Sequence, residues 1–409
     1  MIKIMLIPPE TLPIPAVGGG AIETLITNLI EINETEKKCE LVVISKDDAE
    51  ARKTTYQHTK IFYYNDNIHY GKETVLVNLT YLFQRVCKKI LQNRYTIKLF
   101  GSLQLLYPKR YIFAKMIAKK CKVDVIINEG NWDEKYWTTF KKLVGKKNLY
   151  NHIHCHRSED TFVREIIPNS ISISRFVQNA WAKSKDIPGQ NLVLYNGIDV
   201  KRFSNQPNPF DRQKNRERFG ANDQTILVLF CGRLIREKGV SELLDAFDML
   251  YADYAETIKL LLVGNVDFST NTTTTYSQNI IDRASKMKNV ISLGYIPNDN
   301  ISEIYSCADI MVIPSIWQEG AGLVAIEGMA SGLPLITTVS GGLTEYVNDN
   351  VAIQLPINEL LAENLKKHII LLATDETKRK EMGEAGRKRA TIFSKEKYYY
   401  DFINIFMDK

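Results

Sequence analysis

One pattern repeats along all 409 residues: a short, almost purely apolar run, a loop, then a stretch with helical spacing. The candidate strands are 2–7, 41–45, 123–128, 149–154, 171–173 and 192–194. After a break come 226–230, 258–263, 310–313 and 335–338. Helical patterns fill the intervals at 21–32, 111–120, 240–250, 301–307, 323–331 and 359–373. Strands that alternate with helices read as βαβ units and therefore as parallel sheets. Runs without polar alternation, such as Ile226-Leu227-Val228-Leu229-Phe230, suit strands covered on both faces.

The break lies at 196–223, where the turn dipeptide Asn196-Gly197 is followed by Asn205-Gln206-Pro207-Asn208-Pro209 and a charged stretch. It predicts two doubly wound α/β domains, 1–197 and 198–390. The segment 391–409 is expected to be a helix that packs back on the first domain through Tyr398, Tyr399, Phe402, Ile405 and Phe406. Ser269–Thr275 is a small low-complexity loop with no function assigned. Hydrophobic residues at 44% and charged residues at 24% permit a large core and exclude a fibre or a disordered tail.

No apolar run reaches the ~20 residues that span a bilayer. Met1–Pro9 reads as a buried first strand rather than a signal segment, so a cytoplasmic protein is expected. The six cysteines contain no C-x-x-C pair, which excludes a zinc knuckle or a redox motif.

The net charge of +6 is unevenly shared: residues 1–199 hold 29 Lys and Arg against 20 Asp and Glu. Eleven basic residues and no acidic one fall in 74–123, with aromatic and aliphatic residues interleaved. That mixture suits an anionic lipid surface; its alternative is a solvated helix face over a core. No helix-turn-helix, zinc finger or aromatic RNA-binding motif accompanies it, so nucleic acid is not an expected partner.

Four segments could carry chemistry. Gly18-Gly19-Gly20 follows the first strand and opens a helix, where backbone N–H groups could meet an anion. Gly232-Arg233-Leu234-Ile235-Arg236-Glu237-Lys238-Gly239 follows another strand, and Arg233 and Lys238 could converge on one diphosphate. After the strand 310–313 comes a segment with Glu319 and Glu327 eight apart, and Gly320 and Gly322 beside the first. Eight helical steps would separate the two by ~12 Å, so Glu319 is expected in the loop and Glu327 in the helix, facing different parts of an extended ligand. A carboxylate suits neighbouring sugar hydroxyls; for a buried Glu327, an internal Arg is the alternative partner. Last, His152, His154 and His156 alternate along one strand. A strand spreads three such histidines over ~13 Å, which disfavours one metal ion, and a histidine at the strand end could instead meet substrate. No Asp-x-Asp pair occurs to hold a cation on a diphosphate.

Together these residues resemble family 4 retaining glycosyltransferases of the GT-B fold. Glu319…Glu327, with Gly332-Leu333-Pro334 and Ser340-Gly341-Gly342-Leu343-Thr344-Glu345, is similar to their E-x7-E region. Gly18-Gly19-Gly20-Ala21, Ser174-Arg175-Phe176, Asn196-Gly197-Ile198-Asp199, Gly232-Arg233…Lys238-Gly239, Gly294-Tyr295-Ile296-Pro297 and Tyr305…Ala308-Asp309…Pro314-Ser315 agree in order. The opening Thr11–Ile22 resembles bacterial spore-coat and capsule-type members. The resemblance is specific over 171–347.

The resemblance implies two Rossmann-like domains facing a cleft, a first that binds acceptor and a second that binds a nucleotide-sugar. It implies transfer with retention, without metal or cofactor, from a nucleotide-diphosphate sugar, UDP being the commonest carrier, to a glycan or lipid-linked acceptor. Glu319 would hold the sugar hydroxyls, with Gly320, Ala321, Gly322 and Leu323 beside it, and Glu327 the ribose. Arg233 and Lys238 would hold the diphosphate, with Gly19 and Gly20 from the first domain. Backbone near Tyr295 and Ile296 would meet the base. His154 would be the family's cleft histidine, with His156 as the other register. Gly320-Ala321-Gly322 replaces the family's usual bulky residue and glycine, which would alter sugar choice. The alternatives are a sugar-nucleotide epimerase or phosphorylase on the same plan, or a noncatalytic membrane-docking partner in polysaccharide assembly. The resemblance, with the basic segment, implies work at the inner membrane face.

Overall fold

The computed structural model describes residues 1–65, 109–130, 134–155, 169–182, 189–205, 207–265 and 274–407. They form two compact units. The first comprises residues 1–172, 180–192 and 402–409; the second comprises 173–179 and 193–401.

The first unit is built on a seven-stranded sheet. Its strands are β1 (Lys3–Ile7), β2 (Glu40–Lys46), β3 (Thr59–Tyr64), β4 (Val125–Asn128), β5 (Leu149–Ile153), β6 (Ser170–Ser172) and β7 (Asn191–Val193). They lie in the order β3-β2-β1-β4-β5-β6-β7. Met5 of β1 sits opposite Val42 of β2 and Ile126 of β4, both pairs parallel. The direction of strand order reverses between β1 and β4, and ligands of doubly wound sheets bind outside the carboxyl ends at that point.

The second unit repeats the plan with six strands. They are β8 (Ile226–Cys231), β9 (Ile258–Val263), β10 (Val290–Gly294), β11 (Ile310–Ile313), β12 (Leu335–Thr338) and β13 (Ala352–Leu355). Their order is β10-β9-β8-β11-β12-β13 and every pairing is parallel. Leu229 of β8 pairs with Leu261 of β9 and with Met311 of β11, which puts the reversal between β8 and β11. Leu229 and Leu261 face one core layer, Val228 and Leu260 the other. Burial on both faces explains why these runs carry no polar alternation.

Three strands escape the sequence pattern: β3, β10 and β13, each at an edge of its sheet. The helix Lys109–Cys121 turns Tyr111, Phe113, Ala114 and Ile117 into the core with Met5, Tyr136 and Phe140. Its Arg110 is buried, donating to Pro8 O at 2.7 Å and pairing with Glu10 at 3.2 Å, so it is not a surface charge. Lys119, Lys120 and Lys122 are exposed. Residues 74–108 of the basic segment, like Ser269–Thr273 of the low-complexity loop, lie outside the described residues. The last helix, Lys395–Met407, belongs to the second unit through Asp401 and to the first from Phe402, where Phe406 lies edge-on to Tyr150 at 5.3 Å. Among the described residues, no helix is long and apolar enough to cross a membrane.

Candidate active site

In the second unit, the loops after β8, β11 and β12 are pressed together. β8 leads into Gly232, a single turn at Arg236–Lys238, then Gly239 and the helix Val240–Tyr254. Gly239 has φ +66°, and a Cβ there would lie 1.9 Å from the carbonyl oxygen of Pro314, just after β11. Only glycine lets these two loops approach so closely. The approach is fastened by Ile316 N–H donating to Glu237 O at 3.0 Å.

It brings Lys238 to Glu319. Lys238 Nζ lies 2.5 Å from Glu319 Oε1, and Ser315 Oγ donates to the same oxygen at 2.6 Å. Oε2 has no partner among the described residues and is left for another donor. The loop after β12 fixes the Glu319 backbone. Glu319 N–H donates to Ser340 Oγ at 3.1 Å, Ser340 Oγ donates to Trp317 O, and Gly342 N–H donates to Glu319 O at 2.7 Å. Gly341, at φ +47°, has no room for a Cβ, which would lie 2.5 Å from Glu319 O. Arg233 is exposed, with no ion-pair partner among the described residues. The unit therefore offers two cations and a half-satisfied carboxylate at the reversal point of its sheet.

Glu327 lies in the second turn of the helix Leu323–Ser331, while Glu319 lies in the loop. Gly320, Ala321 and Gly322 bridge them, and Leu323 begins the helix. Tyr305 Oη donates to Glu327 Oε2 at 2.6 Å. Burial pushes the Glu327 carboxyl pKa up, against the Tyr305 hydrogen bond and the charge of Arg202. Beside the ligand and internal-Arg readings of Glu327 stands a third partner, Tyr305, a residue of the motif whose link to Glu327 the sequence does not show. Burial, then the nearby Glu327 charge, pushes the Cys231 thiol up to about 12. Tyr295 and Ile296 follow β10 at the sheet edge, and Tyr295 is exposed.

Some motif residues serve the scaffold. Ser174 Oγ donates to Gly320 O at 2.7 Å. Glu345 accepts from the N–H groups of Arg175 and Phe176, at 2.9 and 2.6 Å, capping the helix Arg175–Ala182.

In the first unit, the loop after β1 ends in Gly20, at φ +93°, which starts the helix Ala21–Glu36. This helix N-terminus already holds a carboxylate. Glu23 is buried, and its Oε2 would be 2.2 Å from a Cβ on Gly20. Burial raises the Glu23 pKa against a hydrogen bond from its own N–H. Gly19 and Gly20 therefore face an anion site partly filled by the chain itself.

The ends of β4 and β5 carry a second cluster. Glu129 follows β4 and is buried. His152 Nδ1 lies 2.7 Å and His154 Nε2 2.9 Å from the same oxygen, Glu129 Oε2. Burial alone would raise the Glu129 pKa; the charge of His152 and the hydrogen bonds from both imidazoles outweigh it and hold the carboxyl at about 2. Burial, then the His152 charge, lowers His154 to about 4. One oxygen and two nitrogens within 4.8 Å of one another could offer a metal ion a partial shell. The same atoms are spent on the hydrogen bonds, which satisfy them without an ion. His156 lies outside the described residues.

Comparison with known proteins follows this geometry. Residues 211–389 match the family model of glycosyl transferases group 1. Spore coat protein SA of Bacillus subtilis is 24% identical over 359 residues, 85% of this chain and 83% of that protein. An uncharacterized glycosyltransferase of Methanocaldococcus jannaschii is 30% identical over 159 residues, 39% of each chain. Among solved structures, a glycosyltransferase from Rickettsia africae superposes with a TM-score of 0.73 at 17% identity, covering 100% of this chain and 98% of that one. HepE of Anabaena, solved in complex with UDP-glucose, gives 0.71 at 18% identity, with 100% of both chains covered.

Proposed function

We propose that this chain, a glycosyltransferase of the GT-B fold whose residues 211–389 belong to the glycosyl transferases group 1 family, moves a sugar from a nucleotide-diphosphate sugar to an acceptor hydroxyl, with retention and without a metal ion. One observation carries the reading furthest. Lys238, suited to a phosphate, touches Glu319, suited to sugar hydroxyls, at the reversal point of the second sheet. A donor sugar and its diphosphate are joined at one oxygen, so their recognition groups must be neighbours.

In this reading Arg233 and Lys238 take the diphosphate, and Oε2 of Glu319 accepts from a sugar hydroxyl. Glu327 takes the ribose, and backbone at Tyr295 and Ile296 meets the base. Gly320, Ala321, Gly322 and Leu323 line the sugar. Gly19, Gly20 and His154 are the first unit's substrate contacts. Negative charge grows on the departing diphosphate in the transition state, and cations fixed beforehand stabilise it without reorganisation. The attacking hydroxyl loses its proton to the departing phosphate on the same face, which gives retention. UDP is the expected nucleoside diphosphate, with uracil as its base, a choice that the UDP-glucose complex of HepE supports. The acceptor is a glycan or a lipid-linked sugar. The exposed Lys119, Lys120 and Lys122 of the basic segment 74–123 are assigned to an anionic membrane surface at the inner membrane face; its buried Arg110 is not.

The test is nucleotide release from UDP-, GDP-, ADP- and dTDP-sugars, without added metal, by the wild type and Glu319→Ala. Slow hydrolysis of one donor by the wild type and none by the variant is expected. No release and no nucleotide binding would refute the reading.

A further inference from the structure

The cluster at the ends of β4 and β5 contains more than a strand-end histidine needs. Glu129 takes two imidazole contacts on one oxygen, and both rings are stacked at an angle, their centroids 4.1 Å apart. The side chains of Glu129 and His152 are 3% and 0% exposed, whereas His154 keeps 12%. The accessible member of the cluster is thus His154, and the other two lie behind it.

The protonation pattern follows from acceptor counting. An ionised carboxylate has no hydrogen to give, so both nitrogens that touch Oε2 must carry theirs. For His154 that nitrogen is Nε2. A neutral imidazole has one N–H, so the Nδ1 of His154 is bare. No group among the described residues donates to it.

We propose that Glu129 is a positioning residue: it locks His154 in the Nε2–H tautomer, so that His154 meets substrate through Nδ1 as a hydrogen-bond acceptor. The substrate group is then a hydroxyl, as on a sugar. An unprotonated phosphate oxygen, itself only an acceptor, is refused. His152 donates to the same carboxylate oxygen, a second tie that holds Glu129 in place. The Nε2 of His152 is buried and has no hydrogen-bond partner among the described residues, so its hydrogen bond to Glu129 is the one polar contact of that ring described. The low pKa of His154 is consistent with a neutral ring throughout the physiological range. The substrate clause rests on the glycosyltransferase reading; the tautomer clause does not.

The test is long-range 1H–15N correlation on the full chain labelled with 15N at the histidine rings, with His154→Gln used to assign the signal. The wild type should show His154 protonated at Nε2 only, unchanged from pH 5.5 to 8. Glu129→Gln should give a mixed or reversed His154 tautomer and lower kcat for sugar transfer about 10- to 100-fold, the range for a buried group left mispaired. Donor binding by the second unit should be unaffected. Glu129→Asp should restore the tautomer and most of the activity. An Nδ1–H tautomer or titration near pH 6.5 in the wild type would overturn the proposal, even if the variants fail to fold. So would stoichiometric metal bound at the cluster, or activity lost in Glu129→Gln with the tautomer unchanged. A wild type with the expected tautomer but no transfer from any donor would refute the glycosyltransferase reading and the substrate clause with it.

Discussion

Replacing Glu319 with alanine should tighten the binding of a nucleoside diphosphate while weakening that of the corresponding nucleotide-sugar. Without ligand, Lys238 is held 2.5 Å from Glu319 Oε1, so a diphosphate must compete with that carboxylate for its cation. The two side chains are 26% and 18% exposed. That places the pair between solvent-exposed pairs, which contribute about 0.2–1 kcal/mol, and fully buried ones, whose breakage costs about 3–5 kcal/mol. Solvent screening keeps the value near the lower range, and about 1 kcal/mol released to the diphosphate is a fivefold gain in affinity. A nucleotide-sugar makes the same gain but loses a charged hydrogen-bond acceptor for its hydroxyls, a loss of about 1.5–3 kcal/mol. The ratio of the two dissociation constants should therefore change by about 10- to 150-fold. Calorimetric titration of both ligands against wild type, Glu319→Ala, Lys238→Ala and the double variant measures it. In the double variant, the diphosphate affinity should equal that of Lys238→Ala, because the competing carboxylate has lost its cation. Equal weakening of both ligands by Glu319→Ala would show that the ion pair is part of the scaffold, and would refute the argument.

Arg233→Ala should leave the melting temperature unchanged, since the side chain is exposed and unpaired among the described residues, yet lower kcat about 10²-fold; unchanged turnover would remove it from the site. Glu327→Gln separates stability from binding. The raised folded pKa of Glu327 means that its contribution to stability is present at low pH and is lost as pH rises through that pKa. Glu327→Gln should therefore melt above the wild type at pH 7 and equal it near pH 4, while nucleotide affinity drops about tenfold because the amide offers the ribose one uncharged acceptor oxygen in place of a carboxylate. Lys119→Glu, Lys120→Glu and Lys122→Glu together should reduce binding to anionic vesicles and spare donor hydrolysis; loss of both would make the segment structural.

The fold was most legible where strands are buried on both faces; of the edge strands, only the short β7 was read. β8 and β11 were read to within a residue because Ile226-Leu227-Val228-Leu229-Phe230 and Ile310-Met311-Val312-Ile313 are apolar throughout. β3, β10 and β13 contain Thr59-Lys60, Ser292 and Gln354, and several of their residues are only half-buried. An edge strand has one neighbour and partial cover, so its composition resembles that of a loop. Helices were legible by their apolar faces, whereas Glu376–Ala390, rich in Lys, Arg and Glu, gave no such face.

The missed edge strands explain why the two halves of the site were not equally legible. The reversal of strand order falls between the first and fourth strands of each sheet, and chemistry gathers there. With β3 unread, β4 counted as the third strand of its domain, and an acid at its end had no reason to stand out. Glu129 does not stand out in the sequence, and its links to His152 and His154 are seen only in the structure. Neighbouring sequence offers no remedy, because the partners are 23 and 25 residues apart and meet only when β4 and β5 lie side by side. In the second unit β10 was missed too, which also made β11 a third strand. There the spacing of Glu319 and Glu327, and the glycines around them, marked the position independently of strand count. A local motif survives an error in topology, whereas a constellation assembled across strands does not.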